Sequence, residues 1–458
     1  MIRWFVAAAG LFLVGLLLQS SLLVYAAYVL AGLLLGVRWW TRNGIEALQA
    51  TRTLRPLGTD ALPDRQRDDG LALEIGERVS VRVVVRNNRW LPVPWVLLED
   101  ALPGGTTARR FAKLEVKGQR LAIASLGPGG EVVLQYTLVC RARGFHAVGP
   151  LVLETGDLFG LHRRFRILAE PKYVIVYPRV VPLTGYELVS RRPIGEVRLT
   201  HRQFEDPTRI AGVREYQQGD PLSRVHWKVT ARTGTLHCKV LEPSTLSGLT
   251  VLLDFHSAGY PQRGEPIRSE LAITVAVSLI HAVYLLGQQV GLVTNAGDAA
   301  QRVKTEGWDS DPRSRQQARA LADASGESGP IEPLLVPTGR GANVFQQVRE
   351  VLARAELSPA MPFAQLVTHT ASRLPRDATA LAVLPEVSTE TAISLGNLRR
   401  RGLAVSVVVV MLDEDGLEQA YKRLRAEGIR DVRHCASEEV LPDLARATVH
   451  RLAPYDFL

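Results

Sequence analysis

An apolar run near the start of the sequence constrains the fold of this chain more than any other feature. Over residues 4–37 the only strongly polar side chains are Gln19, Ser20 and Ser21. A membrane span needs about 17–25 apolar residues, and one straight helix over this run would be about 50 Å long against about 30 Å of hydrocarbon. We therefore predict a transmembrane helical hairpin over residues 1–40 that turns at these three polar residues.

Two other interpretations of the run stay open. A single tilted helix would also cross the membrane and, with its more basic C-terminal flank inside, would leave the following chain in the cytoplasm. A cleaved signal peptide is the third interpretation, although the apolar sequence continues well beyond an apolar signal segment of about 7–15 residues.

The residues that flank the run predict its orientation. It is preceded by Arg3 and followed by Trp39, Trp40, Arg38, Arg42, Arg52 and Arg55. Positively charged flanks stay in the cytoplasm and tryptophans favour the interface, so a hairpin keeps both its ends and the rest of the chain inside. We therefore predict a cell-membrane protein with two spans and cytoplasmic soluble domains.

Charge and cysteine content exclude several other classes of protein. The chain of 458 residues carries 55 Lys+Arg and 46 Asp+Glu, a formal charge of +9, and is 46% hydrophobic, which excludes a disordered chain. Its three cysteines form no CxxC pair, which excludes a zinc ribbon and a disulfide framework and fits the cytoplasm. The flanking arginines explain part of the charge by contact with anionic lipid. The sequence has no nucleic-acid-binding motif, so no nucleic-acid partner is predicted.

The middle of the chain is predicted to be rich in β-structure. Residues 41–70 are polar and contain prolines, which predicts a linker. Short β-rich runs follow within 71–170, the clearest at 80–85, 93–99 and 131–140. Strands at this spacing without helices are typical of an antiparallel sandwich of immunoglobulin-like type. We expect this domain to be a scaffold or a partner-binding module.

Strands and helices alternate from residue 249 onward. The apolar strands are predicted at 249–254, 289–294, 378–384 and 403–411, and the helices at 267–286, 343–355, 389–400 and 417–427. This alternation predicts a doubly wound α/β domain over 249–458. The polar stretch 296–330 is predicted to be a surface insertion with a short helix at 314–324.

A polar block lies between these two domains, in the segment 171–248. Its arginines stand among acidic residues, so we expect an internal ion-pair cluster, and Gly219-Asp220-Pro221 is typical of a turn. His226 has no serine or carboxylate partner at a fixed spacing and is expected to be structural.

This block resembles the bacterial proteins of domain of unknown function 58. The matching residues are Arg214, Tyr216, Gly219, Asp220, Arg224, Val225, Trp227, Ala231 and Arg232, with Asp157 to Leu161, Tyr177-Pro178 and the N-terminal apolar run matching as well. The resemblance implies a C-terminal domain like that of von Willebrand factor A. It also implies a MoxR-type AAA+ ATPase as partner and, in some members, a transglutaminase-like membrane protein. It implies no defined activity.

The von Willebrand resemblance further implies a metal-ion-dependent adhesion site, Asp-x-Ser-x-Ser, after the first strand of that domain. This chain has Asp254, but His256 and Ala258 occupy the two hydroxyl positions. Thr338 is a candidate threonine ligand, and Glu386 stands where an aspartate is expected. Mg²⁺ prefers hard oxygen ligands, and two of the expected hydroxyl ligands are missing here. We therefore predict no cofactor, and Asp254 is the candidate ligand if Mg²⁺ does bind. The alternative is that Asp254 caps or hydrogen-bonds adjacent loops.

We expect a membrane-anchored interaction or scaffold protein, not an enzyme, that works with the AAA+ ATPase. The signature residues Arg214, Tyr216, Gly219, Asp220, Arg224, Trp227 and Arg232 are its candidate docking positions. The competing hypothesis is a membrane-associated hydrolase with Asp220 and His226 as acid and base. The sequence contains no Gly-x-Ser-x-Gly, His-Glu-x-x-His, phosphate-binding or dinucleotide-binding motif.

Overall fold

The computed structural model of the protein describes residues 2–58, 66–67, 70–102, 113–157, 163–184, 205–217, 225–243, 248–261, 264–306, 332–375 and 378–444. The chain divides into two compact units. The first comprises Met1–Arg179, Asp298–Ser328 and Leu352–Ala355, and the second comprises Val180–Gly297, Gly329–Val351 and Glu356–Leu458.

The first unit begins with two helices and continues as strands. The elements are α1 (Ile2–Leu17), α2 (Ser21–Glu46), β1 (Leu48–Leu57), β2 (Gln66–Arg67), β3 (Gly70–Glu74), β4 (Arg78–Asn87), β5 (Val93–Asp100), β6 (Leu114–Gly118), β7 (Leu121–Leu126), β8 (Glu131–Cys140), β9 (Gly144–Val148), β10 (Leu151–Gly156), β11 (Arg163–Ala169) and β12 (Lys172–Tyr177). The strands predicted at 80–85, 93–99 and 131–140 are confirmed as β4, β5 and β8.

These strands form three sheets around one core. Two antiparallel sheets have the orders β1-β4-β8-β6 and β11-β10-β5-β7, and the third, β2-β3-β12-β9, contains the parallel pair β3–β12. Val79, Val81 and Val83 of β4 are fully buried, while the arginines between and beside them are exposed. Val96 and Leu98 of β5 belong to the same core. The alternation of apolar and polar residues therefore places the apolar faces of the two antiparallel sheets against each other.

The range 41–70, predicted as a linker, is largely structured. Strand β1 pairs with β4 over its whole length, from Leu48 opposite Asn87 to Leu57 opposite Arg78. Its buried positions include Arg52, so β1 lacks the apolar alternation by which a half-buried strand is recognised. The unit also extends past residue 170, because β12 pairs with β3 and β9.

The last turns of α2 are built into this β-structure. Thr41, Gly44 and Ile45 are buried, and Ile45 belongs to the sandwich core. Arg166 of β11 donates a hydrogen bond from Nη1 to the backbone oxygen of Ile45 (3.1 Å). A single residue, Ala47, separates α2 from β1. The helix and the sheets are therefore joined without a flexible connection.

The remainder of α2 is apolar and exposed. An 18-residue window of α2 has a mean hydropathy of 1.8, and only 11% of it is buried. Helix α1, with 16 residues, is about 24 Å long and packs against α2 through Phe12 and Tyr28, whose ring centres are 5.6 Å apart. By length and composition α2 is a candidate membrane helix, whereas α1 is shorter than a typical span.

A buried ion pair lies in the sandwich where the linker was predicted. The guanidinium of Arg52 contacts the carboxylate of Asp100, and both side chains are almost completely buried. Arg52 also donates from Nη1 to the backbone oxygen of Glu170 (2.6 Å), and the Tyr136 hydroxyl donates to Asp100 Oδ2 (2.7 Å). Burial raises the pKa of Asp100, and Arg52 and Tyr136 oppose that rise. Arg52, predicted as a lipid-facing flank of the membrane helices, is instead part of the core.

The remaining elements alternate between strand and helix. They are β13 (Glu205–Glu215), α3 (Trp227–Thr233), β14 (His237–Pro243), β15 (Gly248–Leu253), α4 (Ile267–Leu285), β16 (Gln289–Thr294), β17 (Gly297–Asp298), α5 (Ala299–Glu306), β18 (Leu334–Gly339), α6 (Ala342–Arg354), β19 (Ala355–Glu356), α7 (Phe363–Thr370), β20 (Ala378–Leu384), α8 (Thr389–Arg400), β21 (Val405–Val410), α9 (Glu414–Ala426) and β22 (Val432–Cys435). The predicted insertion at 296–330 contains α5, and its predicted helix at 314–324 lies outside the described residues.

The second unit contains a six-stranded sheet of order β18-β16-β15-β20-β21-β22. All neighbours are parallel except β16 and β18. Val405, Val407 and Val409 of β21 share a core with α7, α8 and α9. Helix α4 contacts β15, β16, β20 and β21 but does not belong to that core, so it covers the opposite face. The alternation of strands and helices predicted from residue 249 is therefore confirmed.

Helix α4 is also long and apolar enough to cross a membrane by composition, with a mean hydropathy of 1.4. Of the apolar stretch of this helix, 67% is buried inside the protein. A helix that is apolar on every side is expected in the core of an α/β domain. Its apolarity is thus explained by packing.

The buried ion pair yields a prediction about stability. In Arg52→Met the Asp100 carboxylate keeps its burial but loses its cation, so the free energy of unfolding should fall by about 3–5 kcal/mol. Urea denaturation of the full chain in detergent, followed by tryptophan fluorescence, measures this. Arg52→Met/Asp100→Leu should recover part of the loss, and Arg141→Ala, at the exposed pair Arg141–Glu115, is the control and should change little. Equal stability of Arg52→Met and Arg141→Ala would contradict a stabilising role for the buried pair.

Candidate functional site

The carboxyl end of the six-stranded sheet is the first candidate site. In open α/β sheets, ligands bind outside the carboxyl ends of the strands, at the point where the strand order reverses. Here the chain passes from β15 to β16 on one side and later to β20 on the other, so the reversal lies at β15. Asp254 follows β15 directly and is only 7% exposed.

Hydrogen bonds tie the Asp254 carboxylate to the neighbouring loops. Its Oδ1 accepts from Asn295 Nδ2 (2.9 Å) and from the backbone nitrogen of His256 (3.1 Å). Asn295 in turn accepts at Oδ1 from the Phe255 nitrogen (2.6 Å) and donates from Nδ2 to the Met361 oxygen (2.8 Å). These two side chains thus connect the ends of β15 and β16 to the loop that precedes α7.

Burial makes the Asp254 carboxyl easier to protonate. Removal from water raises its pKa, the negative charge of Glu386 raises it further, and the bonds from Asn295 and His256 oppose the rise. The Tyr260 hydroxyl donates to the backbone oxygen of Asp254 (2.7 Å), which fixes the following loop. The arrangement holds loops in place around the buried Asp254 carboxyl group.

The hydrogen bonds at Asp254 disfavour Mg²⁺ at one of its two carboxylate oxygens. Two N–H groups, from Asn295 and His256, point at Asp254 Oδ1, and their positive ends repel a cation at that oxygen. His256 accepts at Nδ1 from the Ala258 nitrogen (3.3 Å), and its Nε2 lies 3.2 Å from the Pro359 oxygen. Among the described residues, no group of three or more His, Cys, Asp and Glu could hold a metal ion. The hydrogen-bonding alternative for Asp254 is the one that this geometry supports.

Thr338 lies away from Asp254. Its Oγ1 is 2.8 Å from Oγ1 of Thr250, which precedes Asp254 by four residues, about 13 Å along the strand. The reason is the antiparallel direction of β18, which pairs Val290 of β16 with Gly339. The sequence suggested Thr338 as a candidate ligand beside Asp254. The structure instead places it beside Thr250.

The second candidate site is the signature ribbon, which we define as β13, α3 and β14. The strands are antiparallel, with Arg214 opposite Cys238 and Glu215 opposite His237. The pairing continues into the loop, where the Tyr216 nitrogen donates to the Leu236 oxygen (2.9 Å). The ribbon therefore presents α3 as a short helix on a two-stranded support.

His226 has a structural role as the N-cap of α3. Its Nδ1 accepts a hydrogen bond from the Val229 nitrogen (3.3 Å), which satisfies a donor at the helix start. The helix ends at Gly234, whose φ of 74° suits glycine. The Thr230 hydroxyl accepts from the His237 nitrogen (3.1 Å) and fastens α3 to β14.

The structure shows part of the signature block. Arg214 and Arg232 are exposed, Trp227 is 67% exposed, and Tyr216 is half-buried. Arg214 donates from Nη1 to the backbone oxygen of Glu215 (3.1 Å). Gly219, Asp220 and Arg224 lie outside the described residues, as do residues 158–161 of the earlier matching motif. The internal ion-pair cluster stays a prediction.

Sequence reasoning missed several residues of these sites. Asn295, which holds Asp254, follows β16 directly, and a polar residue just after a buried strand is the signal that would have marked it. The same logic selected Asp254 after β15. Lys228 extends the basic surface of α3 next to Trp227, and no spacing rule in the sequence distinguishes it.

Comparisons with known proteins agree with the signature block. Residues 212–356 match the family described as "Protein of unknown function DUF58". The chain is also similar to "Uncharacterized protein YeaD" of Bacillus subtilis (strain 168), at 27% identity over 228 residues. That match covers 49% of this chain and 54% of YeaD, so the chain spans about half the length of this curated relative. The resemblance to domain of unknown function 58 is thereby confirmed over the matched residues.

Similarities to solved structures are weak. Salmonella α2-macroglobulin mutant Y1175G matches with 22% identity and a TM-score of 0.21, covering 29% of this chain and 9% of that one. Proximal thread matrix protein 1 from the mussel byssus matches with 9% identity and a TM-score of 0.28, covering 44% of this chain and 46% of that one. At these TM-scores neither similarity supports an inference about this chain.

The Asp254 network yields a prediction with two variants. Asp254→Ala removes the acceptor of two N–H groups and should lower the melting temperature. Asp254→Asn keeps an acceptor oxygen, so it should melt close to the parent chain at pH 7. Because the pKa of Asp254 is raised in the folded chain, its carboxyl ionises at a lower pH in the unfolded chain. The contribution of this carboxyl to the free energy of unfolding therefore falls as the pH rises from the unfolded pKa to the folded pKa. Asp254→Asn should remove this part of the pH dependence.

Scanning calorimetry with Mg²⁺ or with EDTA completes this test. We expect the parent chain to melt at the same temperature in both. A melting temperature that Mg²⁺ raises in the parent chain, and that it leaves unchanged in Asp254→Asn, would instead establish Asp254 as a metal ligand.

Proposed function

We propose that the chain is a membrane-anchored interaction protein whose β-structure and second unit lie in the cytoplasm. The observation that carries this proposal is the exposed, apolar part of α2, continuous with a folded β-structure. An exposed apolar helix surface of this size is unfavourable in water and favourable in a bilayer. The arginines after residue 37 support an orientation with the β-structure inside.

Helix α1 is the second element of the proposed membrane hairpin. At about 24 Å it is shorter than the hydrocarbon layer, which a short helix accommodates by local thinning of the bilayer. Its packing against α2 through Phe12 and Tyr28 supports insertion of both helices together.

The signature ribbon is the proposed docking surface for a protein partner. Helix α3 exposes Trp227, Lys228, Ala231 and Arg232, and positions three or four apart lie on the same side of a helix. The exposed Leu236, which directly precedes β14, adds apolar area. Tryptophan and arginine are the residues most often found at the energetic centres of interfaces.

The resemblance to domain of unknown function 58 suggests a MoxR-type AAA+ ATPase as the partner, and a transglutaminase-like membrane protein as a further one. The strand order with one antiparallel edge strand, β18, supports the proposed likeness of the six-stranded sheet to a von Willebrand factor A domain. The sequence has no phosphate-binding loop of its own, so the ATPase would supply nucleotide hydrolysis.

Substitutions on α3 test the docking proposal. Trp227→Ala and Arg232→Glu should each weaken recovery of the AAA+ ATPase from solubilised membranes by about tenfold, because they remove the central aromatic or reverse a charge. The matched control is Ile393→Ala/Arg401→Glu, which alters exposed residues at another surface of the same unit. Unaltered melting temperatures show that the variants are folded. Equal recovery of the ATPase by all variants would refute the role of the ribbon.

A further inference from the structure

The turn between β4 and β5 lies beside the point where α2 enters the sandwich. The indole nitrogen of Trp40, near the end of α2, donates to the backbone oxygen of Pro92 in this turn (3.0 Å). Asn88 donates from its backbone to the Ala47 oxygen (3.2 Å) and from Nδ2 to Gln49 Oε1 (2.7 Å). The turn is therefore fastened to the junction of α2 and β1.

A buried asparagine holds the turn in a fixed shape. Asn87 is completely buried, donates from Nδ2 to the Leu91 oxygen (2.8 Å), and accepts at Oδ1 from the Arg89 nitrogen (3.1 Å). Between these contacts, Arg89 is exposed and Trp90 is 74% exposed. A large aromatic side chain directed into water from a well-fixed turn has no explanation in the packing of the sandwich.

Helix geometry places this turn at the height of a membrane interface. The chain rises about 7.5 Å from Trp40 to Ile45, which is in the sandwich core, and the headgroup layer is about 5–8 Å thick on each side. If the apolar part of α2 occupies the hydrocarbon, Trp40 lies in the headgroup layer. Because Trp40 donates to Pro92, the turn that carries Trp90 lies close to that layer.

The charges at this end of the sandwich favour an anionic surface. Residues 38–49, 86–93 and 127–131, which include the turn and its neighbours, contain four arginines and two glutamates. The arginines are Arg38, Arg42, Arg86 and Arg89, and all are exposed. Arginine side chains near a bilayer are attracted to anionic headgroups, and tryptophan favours the same layer.

We propose that Arg89 and Trp90 form a second membrane contact, which binds the anionic phospholipid headgroups beside α2. With α2 as one attachment and the turn as another, the sandwich is held at a fixed orientation to the bilayer. This inference rests on the proposed membrane insertion of α1 and α2. The competing occupants of the turn are a second copy of the chain and an acidic protein segment.

A fluorescent label at the turn tests this contact in the full-length protein. Trp90→Cys is labelled with an environment-sensitive dye, and the chain is reconstituted into nanodiscs of phosphatidylcholine, alone or mixed with phosphatidylglycerol. The native cysteines are buried. The matched control is Leu57→Cys, also exposed (51%), at the far end of β1, about 30 Å along the strand from Leu48.

We expect blue-shifted emission from the label at position 90 and loss of about half of it to spin-labelled headgroups, with both effects larger when phosphatidylglycerol is present. The label at position 57 should keep the emission of water-exposed dye. Adding Arg89→Glu to Trp90→Cys should abolish the preference for phosphatidylglycerol.

Different outcomes would contradict the second membrane contact and the proposed membrane anchoring on which it rests. Water-like emission at position 90, in protein that co-elutes with nanodiscs, would refute the second contact while leaving the anchor intact. Blue-shifted emission that persists in detergent, and that spin-labelled headgroups do not quench, would show that protein covers the turn. Failure of the chain to enter nanodiscs at all would refute the proposed anchoring and, with it, this inference.

Discussion

The packing of the last turns of α2 into the sandwich core is the contact on which the proposed placement of this protein depends. Thr41, Gly44 and Ile45 are buried there, and β1 starts within two residues of the helix end. A flexible linker would let the domains sample many heights and orientations. A helix that continues into a core instead transmits its own position and tilt to the β-structure.

This continuity also explains why a polar segment is ordered. Strand β1 closes one edge of its sheet and carries Arg52, whose guanidinium meets Asp100 in the core. Glu170 accepts from Arg52 and Tyr136 donates to Asp100, whereas the buried Nε of Arg52 has no hydrogen-bond partner among the described residues. The first strand after α2 is thereby fixed in a single register.

In the second unit, the position at which α/β domains bind ligands is used to hold loops together. Asp254 and Asn295 lie at the ends of adjacent strands and bind each other and the backbone. Two N–H groups donate to Oδ1 of the Asp254 carboxylate. The signature ribbon of this unit instead exposes an aromatic side chain, Trp227, and its basic neighbours Lys228 and Arg232.

Elements with strong hydrophobic periodicity could be predicted from the sequence, including β4, β8, α4 and β21. Two of the strands that were missed have a burial pattern that does not follow residue type. Strand β1 places an arginine in the core, and the short β22 includes Arg433 and His434. The positions of Asp254 and Asn295 could each be predicted from the strand before them, but the contact between them could not, because it depends on which strands are neighbours. Thr338 was misplaced because strand direction is not encoded in periodicity.

Membrane extraction of a truncated chain tests the central claim most directly. Deletion of residues 2–37 removes α1 and the exposed apolar part of α2 but keeps the last turns of α2, which are packed in the core. Full-length protein should stay in the membrane pellet after washing with alkaline carbonate, and the truncated protein should be soluble and melt at the temperature of the full chain. Release of the full-length protein by carbonate, or retention of the truncated protein in the pellet, would contradict anchoring by these helices.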